Sequence, residues 1–439
     1  VSVLYCSPRA PPLGTKGMSS DNGAAFFTPN RGNAVRNPVG TPVSQLDTPA
    51  LVIDLDAMER NMATMKEYAR KHNLLLRPHA KLHKSAALAR LLMEEGGAIG
   101  VCVQKLGEAE AMAAGGVHDI FISNEIVHPA KLARVAALAT ALAAIPPEAK
   151  AIATEPRLTI CCDCPEGVHL LVQALQERFA TGAAMIPVGV FLEIDAGQGR
   201  CGAPPAGDRA VATVAAIAEH QKESPSLIFY AGIHAYNGAS QHVRTYAGRK
   251  ADIDKVVEYA LATKAAVKEH VGLDTPLITG AGTGTFTLEA ASGVFGELQP
   301  GSYLVMDRDY ADNDRDPAHP DFAHALFVAS RVMSLGSRTD GGVVVDAGHK
   351  SHAIDTGMPT VHGRPELEVL NRGDEHAIVA PREGTNAAVG LALNDLVLLI
   401  PGHCDPTFNL YDEVLGIRGG MAHGKVDRII SIDARGCAY

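Results

Sequence analysis

From residue 48 to about residue 307 the chain repeats one pattern: a short apolar run, a turn, then an Ala-rich stretch whose apolar residues recur at helical spacing. No other feature narrows the fold so far. The run 50–55 reads as a strand, and Asp56 with Glu59 forms a capping-box pattern beside Met58, Met62, Met65 and Ala69, which share a helix face. Eight further runs follow, at 74–76, 99–103, 120–123, 158–162, 188–194, 228–233, 277–279 and 303–306, with helical stretches such as 129–144 and 249–270 between them. Strands separated by helices pair in parallel with the helices outside, and eight repeats close into a (β/α)8 TIM-like barrel. An open doubly wound sheet would want a glycine-rich turn after the first strand, and Asp54-Leu55-Asp56-Ala57 is no such turn. Past residue 307 the runs shorten to β-type segments at 343–346, 377–380 and 396–400, between Gly and Pro turns, which predicts a second, mainly β domain. The expected division is an unplaced arm over 1–45, the barrel over 46–306 and the β domain over 307–439.

Composition limits what such a chain can meet. Single cores stop growing near ~250–300 residues, so 439 residues fit two packed units. With 39 Lys and Arg against 49 Asp and Glu, the net charge of -10 supplies no basic surface for nucleic acid or an anionic membrane. The longest apolar runs, such as 396–400, fall far short of the ~20 residues a spanning helix needs. Eight cysteines without regular spacing read as reduced thiols in an intracellular compartment. Cys161, Cys162 and Cys164 contain one CxxC but no second pair, which favours a coincidence at a strand end over a metal site. Residues 1–45 carry Arg9, Lys16, Arg31 and Arg36 against the single acid Asp21, and show no hydrophobic period. Two readings stay open there: an organellar transit peptide, or an unstructured arm or expression remnant.

In a barrel, chemistry gathers where strands end. The segment 77–84, Arg-Pro-His-Ala-Lys-Leu-His-Lys, follows the run 74–76. A lysine there, Lys81, can have its pKa lowered by burial and neighbouring cations, the state a Schiff base needs. A basic octapeptide is otherwise an ordinary solvated loop. The segment 279–285, from Thr279 through Gly282 and Thr283 to Thr285, joins glycines and hydroxyls to a helix start and forms a cradle for a cofactor monophosphate. Arg200, in the glycine-rich turn after 188–194, points to the same mouth, and Tyr236 stands at another strand end where its ring can stack or hydrogen-bond. In the β domain, extended geometry would place His403 and Asp405 on one side and Cys404 on the other, with Pro406 favouring that geometry. An imidazole beside a carboxylate suits Mn, Mg, Co or Zn with positions left for water, although two ligands are also common as plain surface residues.

The segments TPALVIDLDAMERN, RPHAKLHKS, GVCVQKLGEAEAMAAGG, EIDAGQGRCG, GIHAYNG, GAGTGTF, LQPGSYLVMD and PGHCD, in this order, resemble the D-threonine aldolase and eukaryotic-type D-serine dehydratase family. These are fold-type III pyridoxal-phosphate enzymes related to alanine racemase, and the resemblance runs from about Thr48 to near the end of the chain. It implies that Lys81 forms the Schiff base with pyridoxal 5'-phosphate, that Arg200 faces the pyridine nitrogen, and that Tyr236, Gly282 and Thr283 line the cofactor pocket and phosphate loop. It implies a divalent metal on His403 and Asp405. Two roles stay open for His83: proton transfer, or packing beside the cofactor. The dehydratase pattern has a Cys two residues after the His, where this chain has Asp405, so the expected activity is metal-dependent cleavage of D-threonine and related D-β-hydroxy-α-amino acids to glycine and an aldehyde. D-serine dehydration is the alternative, followed by amino-acid racemisation or a non-catalytic cofactor carrier. The resemblance also implies a homodimer whose sites lie between one barrel and the partner's β domain.

Overall fold

The computed structural model describes residues 36–146 and 155–439, apart from positions 317, 338, 340, 372, 386 and 387. The first strand, β1 (Ala50–Asp54), precedes eight strands of one parallel sheet: β2 (Leu75–Leu76), β3 (Val101–Val103), β4 (Asp119–Ile122), β5 (Arg157–Cys162), β6 (Val188–Glu193), β7 (Ile228–Ala235), β8 (Ile278–Gly280) and β9 (Glu297–Leu298). They are hydrogen-bonded in the order β2-β9-β8-β7-β6-β5-β4-β3. The ends of that ladder meet where Ala80 N–H donates to the Cys102 carbonyl (2.8 Å) and Cys102 N–H to that of Pro78 (2.9 Å), closing the barrel. Helices between the strands end as their sequence dictates. Tyr246–Val271 starts with the Thr245 hydroxyl accepting from Gly248 N–H (3.2 Å) and stops at Gly272, whose φ of +78° favours glycine.

Two sequence expectations change here. The eighth strand is Glu297–Leu298, paired with β2 and β8, and not 303–306, where the chain makes a 3-10 turn at Ser302–Leu304. A two-residue strand that begins on a glutamate carries no apolar signature. The second change concerns β1, which does not join the barrel. It lies in the middle of the other sheet, antiparallel to β10 (Leu326–Ser334) and parallel to β16 (Glu413–Arg418). Between those two come β11 (Val343–Val345), β12 (Thr360–Val361), β13 (Leu367–Asn371), β14 (Ala377–Pro381) and β15 (Leu396–Ile400), and β17 (Lys425–Ser431) closes the edge. The sheet runs β13-β14-β11-β10-β1-β16-β17, with β15 joining β10 and β12.

The helix Leu55–Lys71 then leaves β1 toward the barrel, and its cap is Asp54, which accepts from Ala57 N–H (3.0 Å). Asp56 and Glu59, expected to form the capping box, instead clamp Arg418 at 2.8 and 2.7 Å. Residues 36–45 of the supposed arm belong to the β unit: Asn37 brackets Asp47 by two hydrogen bonds, and Val43 is buried against Leu46 and Val426. Residues 1–35, which hold most of the proposed transit peptide, lie outside the described residues. Among the described residues no helix is long and apolar enough to cross a membrane.

The barrel interior is not purely apolar. Its middle packs Cys102, Phe121, Cys161, Phe191 and Ala231. Below them, where β4 and β9 begin, the buried Arg77 guanidinium reaches Asp119 (2.6 Å) and Glu297 (2.9 Å). Gly100 makes the fit, since a Cβ there would stand 2.4 Å from Arg77 Nη1 and 2.5 Å from the Asp119 carbonyl oxygen. Removing one partner of a buried pair leaves charge unpaired, at a cost of ~3–5 kcal/mol. Arg77→Met strands two carboxylates, so a loss of about that size is expected in urea unfolding, whereas unchanged stability would show that water reaches this end of the barrel.

Candidate active site at the barrel mouth

The basic octapeptide after β2 is divided among separate carboxylates. Arg77 points down to Asp119 and Glu297, Lys84 Nζ donates to Glu108 Oε1 (2.5 Å), and Lys81 Nζ pairs with Asp405 Oδ2. Lys81 stands at the mouth with 40% of its side chain exposed, while the Asp405 side chain is 14% exposed. The expected depression of the lysine pKa is therefore reversed. Burial works against the ammonium, but the Asp405 carboxylate outweighs it and holds the amine above its ordinary value. Asp405 responds in kind: burial favours its neutral form, yet Lys81 and then His403 keep it below the usual carboxylate range. This contact is made within one chain: its barrel supplies Lys81 and its β unit supplies His403 and Asp405.

His403 and Asp405 do come together, although not through extended backbone. His403 caps a short helix, Cys404–Phe408, with Pro406 in its first turn, where its missing N–H costs nothing. His403 Nε2 lies 3.8 Å from Asp405 Oδ1, and that buried oxygen has no hydrogen-bond partner. His403 Nδ1 is 2.6 Å from Asp355 Oδ2, an arrangement that makes Nδ1 the donor and leaves Nε2 facing Asp405. Burial works against the imidazolium, but the carboxylates of Asp405, Asp355 and Asp307 outweigh it and raise the imidazole pKa. Cys404 faces away and is buried, and its N–H donates to Asp307 Oδ2 (3.2 Å). An orphaned carboxylate oxygen facing an imidazole nitrogen, whose proton a cation can displace, is a donor set that fits a divalent metal.

The remaining predicted residues divide. Tyr236 is within reach of three site charges: burial raises its pKa, opposed by the Lys81 ammonium and the Arg200 guanidinium and helped by Asp405. Arg200 is exposed on its loop. Gly282 is pressed against Gln241, whose Oε1 would stand 2.4 Å from a Cβ there, and Ala281 adopts φ +71°, so this loop is held in a shape ordinary residues resist. Thr283 Oγ1 accepts from Tyr303 N–H (3.1 Å). Such a close-packed, glycine-lined turn fits a phosphate group. Thr279 does not belong with it. Its hydroxyl donates to Glu297 Oε1 (2.7 Å) and accepts from Gln299 Nε2 (2.7 Å) inside the barrel. His83 is buried, with Nδ1 accepting from Ser85 N–H (3.0 Å), Nε2 unpartnered, and a pKa that burial lowers to about 4.

Sequence reasoning missed Asp355, Asp307 and Gln241. Gln241 accepts from Gly284 N–H (3.0 Å) and donates to Thr285 Oγ1 (2.8 Å), and so holds the glycine loop. Each of the three lies at least 40 residues from the group it supports, and no local spacing announces such a partnership.

A parallel barrel with a lysine at its mouth, faced by a β unit, defines an alanine racemase-like protein. Residues 53–309 match the family described as alanine racemase, N-terminal domain, and residues 325–417 match the putative serine dehydratase domain. The chain is 38% identical to a D-threonine aldolase of Arthrobacter sp, over 92% of this chain and 98% of that one. It is 37% identical to a 3-hydroxy-D-aspartate aldolase of Paracoccus denitrificans (strain Pd 1222), over 91% and 95% of the two chains. The crystal structure of D-threonine aldolase from Filomicrobium marinum superposes with a TM-score of 0.81 at 39% identity, covering 92% of this chain and all of that one. The chain belongs to the family of D-threonine aldolase and 3-hydroxy-D-aspartate aldolase.

The Lys81 pair has a direct check in the cofactor-free protein. With Asp405→Asn, burial, the largest influence on this amine, is opposed only by Tyr236 and Glu108, so the amine pKa is expected to fall. The pH dependence of Lys81 labelling by an amine reagent, read by mass spectrometry, should shift to lower pH. An unmoved profile would mean that Asp405 does not control this amine.

Proposed function

We propose that the protein is a pyridoxal-phosphate and divalent-metal dependent aldolase that cleaves D-threonine and related D-β-hydroxy-α-amino acids to glycine and an aldehyde. The observation that carries this reading is the meeting of Lys81 with His403 and Asp405 at one barrel mouth. A covalent anchor for the cofactor then stands beside a cation site suited to Mn, Mg, Co or Zn. D-specificity rests on the relatives.

In this reading Lys81 Nζ holds the cofactor, Arg200 faces its ring nitrogen, Tyr236 borders its pocket, and Gly282 with Thr283 cradles its phosphate. When bound, the cofactor supplies an electron sink for the charge left at Cα, and the metal lowers the pKa of the β-hydroxyl. Once Lys81 is committed to the cofactor, Asp405 loses its ammonium partner and both of its oxygens become free to act as ligands. Asp355 keeps His403 Nε2 available. His83, neutral because burial holds it near 4 and with Nε2 unbonded, is supported as the acceptor of the β-hydroxyl proton. The Tyr236 phenol, with its pKa raised by burial, stays protonated and acts as a donor.

The competing reading is D-serine dehydration, which draws on the match of residues 325–417 to the putative serine dehydratase domain. Against it, the second position after His403 holds a carboxylate. A homodimer is the assembly the resemblance supports. Organellar import rests only on the acid-poor composition of residues 1–45.

Incubation with D-threonine, D-serine and their L-forms, with and without divalent metal, is expected to give glycine and acetaldehyde from D-threonine alone, and only with metal. Pyruvate and ammonia without glycine would establish the dehydratase, and activity surviving thorough chelation would exclude both metal-dependent readings. Lys81→Ala should lose the cofactor absorbance, while His403→Ala keeps it and loses cleavage. Asp355→Asn is expected to weaken metal affinity by ~10–100-fold, seen as a higher metal concentration for half-maximal activity.

A further inference from the structure

Cys161, Glu193 and His234 lie on the adjacent strands β5, β6 and β7 and all point into the barrel. One donor atom from each lies within 4.8 Å of the other two. All three side chains are buried, at 0%, 5% and 2% exposure. Glu193 Oε2 and His234 Nδ1 stand 3.4 Å apart, and neither makes a hydrogen bond. Both carboxylate oxygens of Glu125, from the loop after β4, are likewise buried and unpartnered.

The proton positions follow from a chain of contacts that begins at the far end of the barrel. Glu297 accepts from the Arg77 guanidinium (2.9 Å) through one oxygen and from the Thr279 hydroxyl (2.7 Å) through the other. Thr279 then accepts from the Gln299 amide nitrogen (2.7 Å), which turns Gln299 Oε1 toward His234 Nε2 (3.3 Å). Nε2 therefore carries a ring proton, and Nδ1 faces the Glu193 carboxylate at 3.4 Å. A carboxylate and an imidazole nitrogen held this close in a dry interior need a positive charge between them, which a proton or a metal cation supplies.

We propose that Cys161, Glu193 and His234 form a buried structural zinc site in the barrel wall, separate from the His403 and Asp405 pair, with Glu125 next to Glu193 at its edge. Thiolate, imidazole and carboxylate from three adjacent strands are a donor set that suits Zn2+, and the Gln299 contact is the outer partner a ligating histidine needs. In the metal-free barrel, burial and then Glu193 push the Cys161 thiol well up and raise the Glu125 carboxyl to about 7. A dication reverses both by favouring the ionised donors. The site also reaches the cofactor pocket: the His234 ring lies parallel to that of Tyr236, 6.4 Å away at 13°. Metal binding there would fix the wall against which Tyr236 stands.

The test uses the intact holoenzyme, produced with zinc and dialysed against chelator, and reads zinc content together with the zinc X-ray absorption spectrum. The expected result is one retained zinc per chain with a sulfur neighbour at about 2.3 Å. It should persist in His403→Ala and be lost in Cys161→Ser. Zinc that leaves completely on dialysis, that disappears with His403→Ala, or that shows only nitrogen and oxygen neighbours in the unaltered enzyme would overturn the proposal. The spectrum of the unaltered enzyme decides the matter even where Cys161→Ser fails to fold.

Discussion

The position of β1 governs the rest of the structure. This strand comes immediately before the barrel in sequence, yet it is buried in the middle of the other sheet, between β10 and β16. A central strand cannot be withdrawn without breaking hydrogen bonds on both edges and exposing both faces. The helix that follows is capped by Asp54 and pinned to Arg418 through Asp56 and Glu59, so the route from one unit to the other is rigid. The segment 403–405 is thereby presented to Lys81 within a single chain.

Inside the barrel the controlling principle is that buried polar groups must be paired in sequence, each orienting the next. Arg77 compels Glu297 to accept, Glu297 compels Thr279 to donate, and the order passes through Gln299 to His234. This is why Thr279, at a position that reads as part of a phosphate cradle, is spent on the interior. The glycine turn just after it is held instead by Gln241, which accepts from the Gly284 N–H.

The expectations that failed did so for physical reasons. Strand β9 is two residues long and begins on Glu297, whose burial is tolerated only because Arg77 lies opposite, so hydropathy passes over it. Lys81 was expected to be depressed by cations close in sequence, but each of those cations has its own carboxylate, and Asp405 reaches Lys81 from 324 residues away. His403 and Asp405 share a side as extended geometry would predict, but a helical turn brings them there. The spatial neighbours of Cys161, a glutamate and a histidine from the next two strands, are likewise not announced by the CxxC spacing.

The amino-acid sequence alone determined the barrel class, the approximate position of most strands, and the placement of Lys81, Arg200 and Tyr236 at strand ends, because periodicity and turn chemistry are local properties that a one-dimensional reading recovers. Only the tertiary structure decided which carboxylate meets which cation, which imidazole nitrogen is free, and which residues lie behind the site. Electrostatic and hydrogen-bond energies depend on separation in space and on burial, and neither varies with separation along the chain.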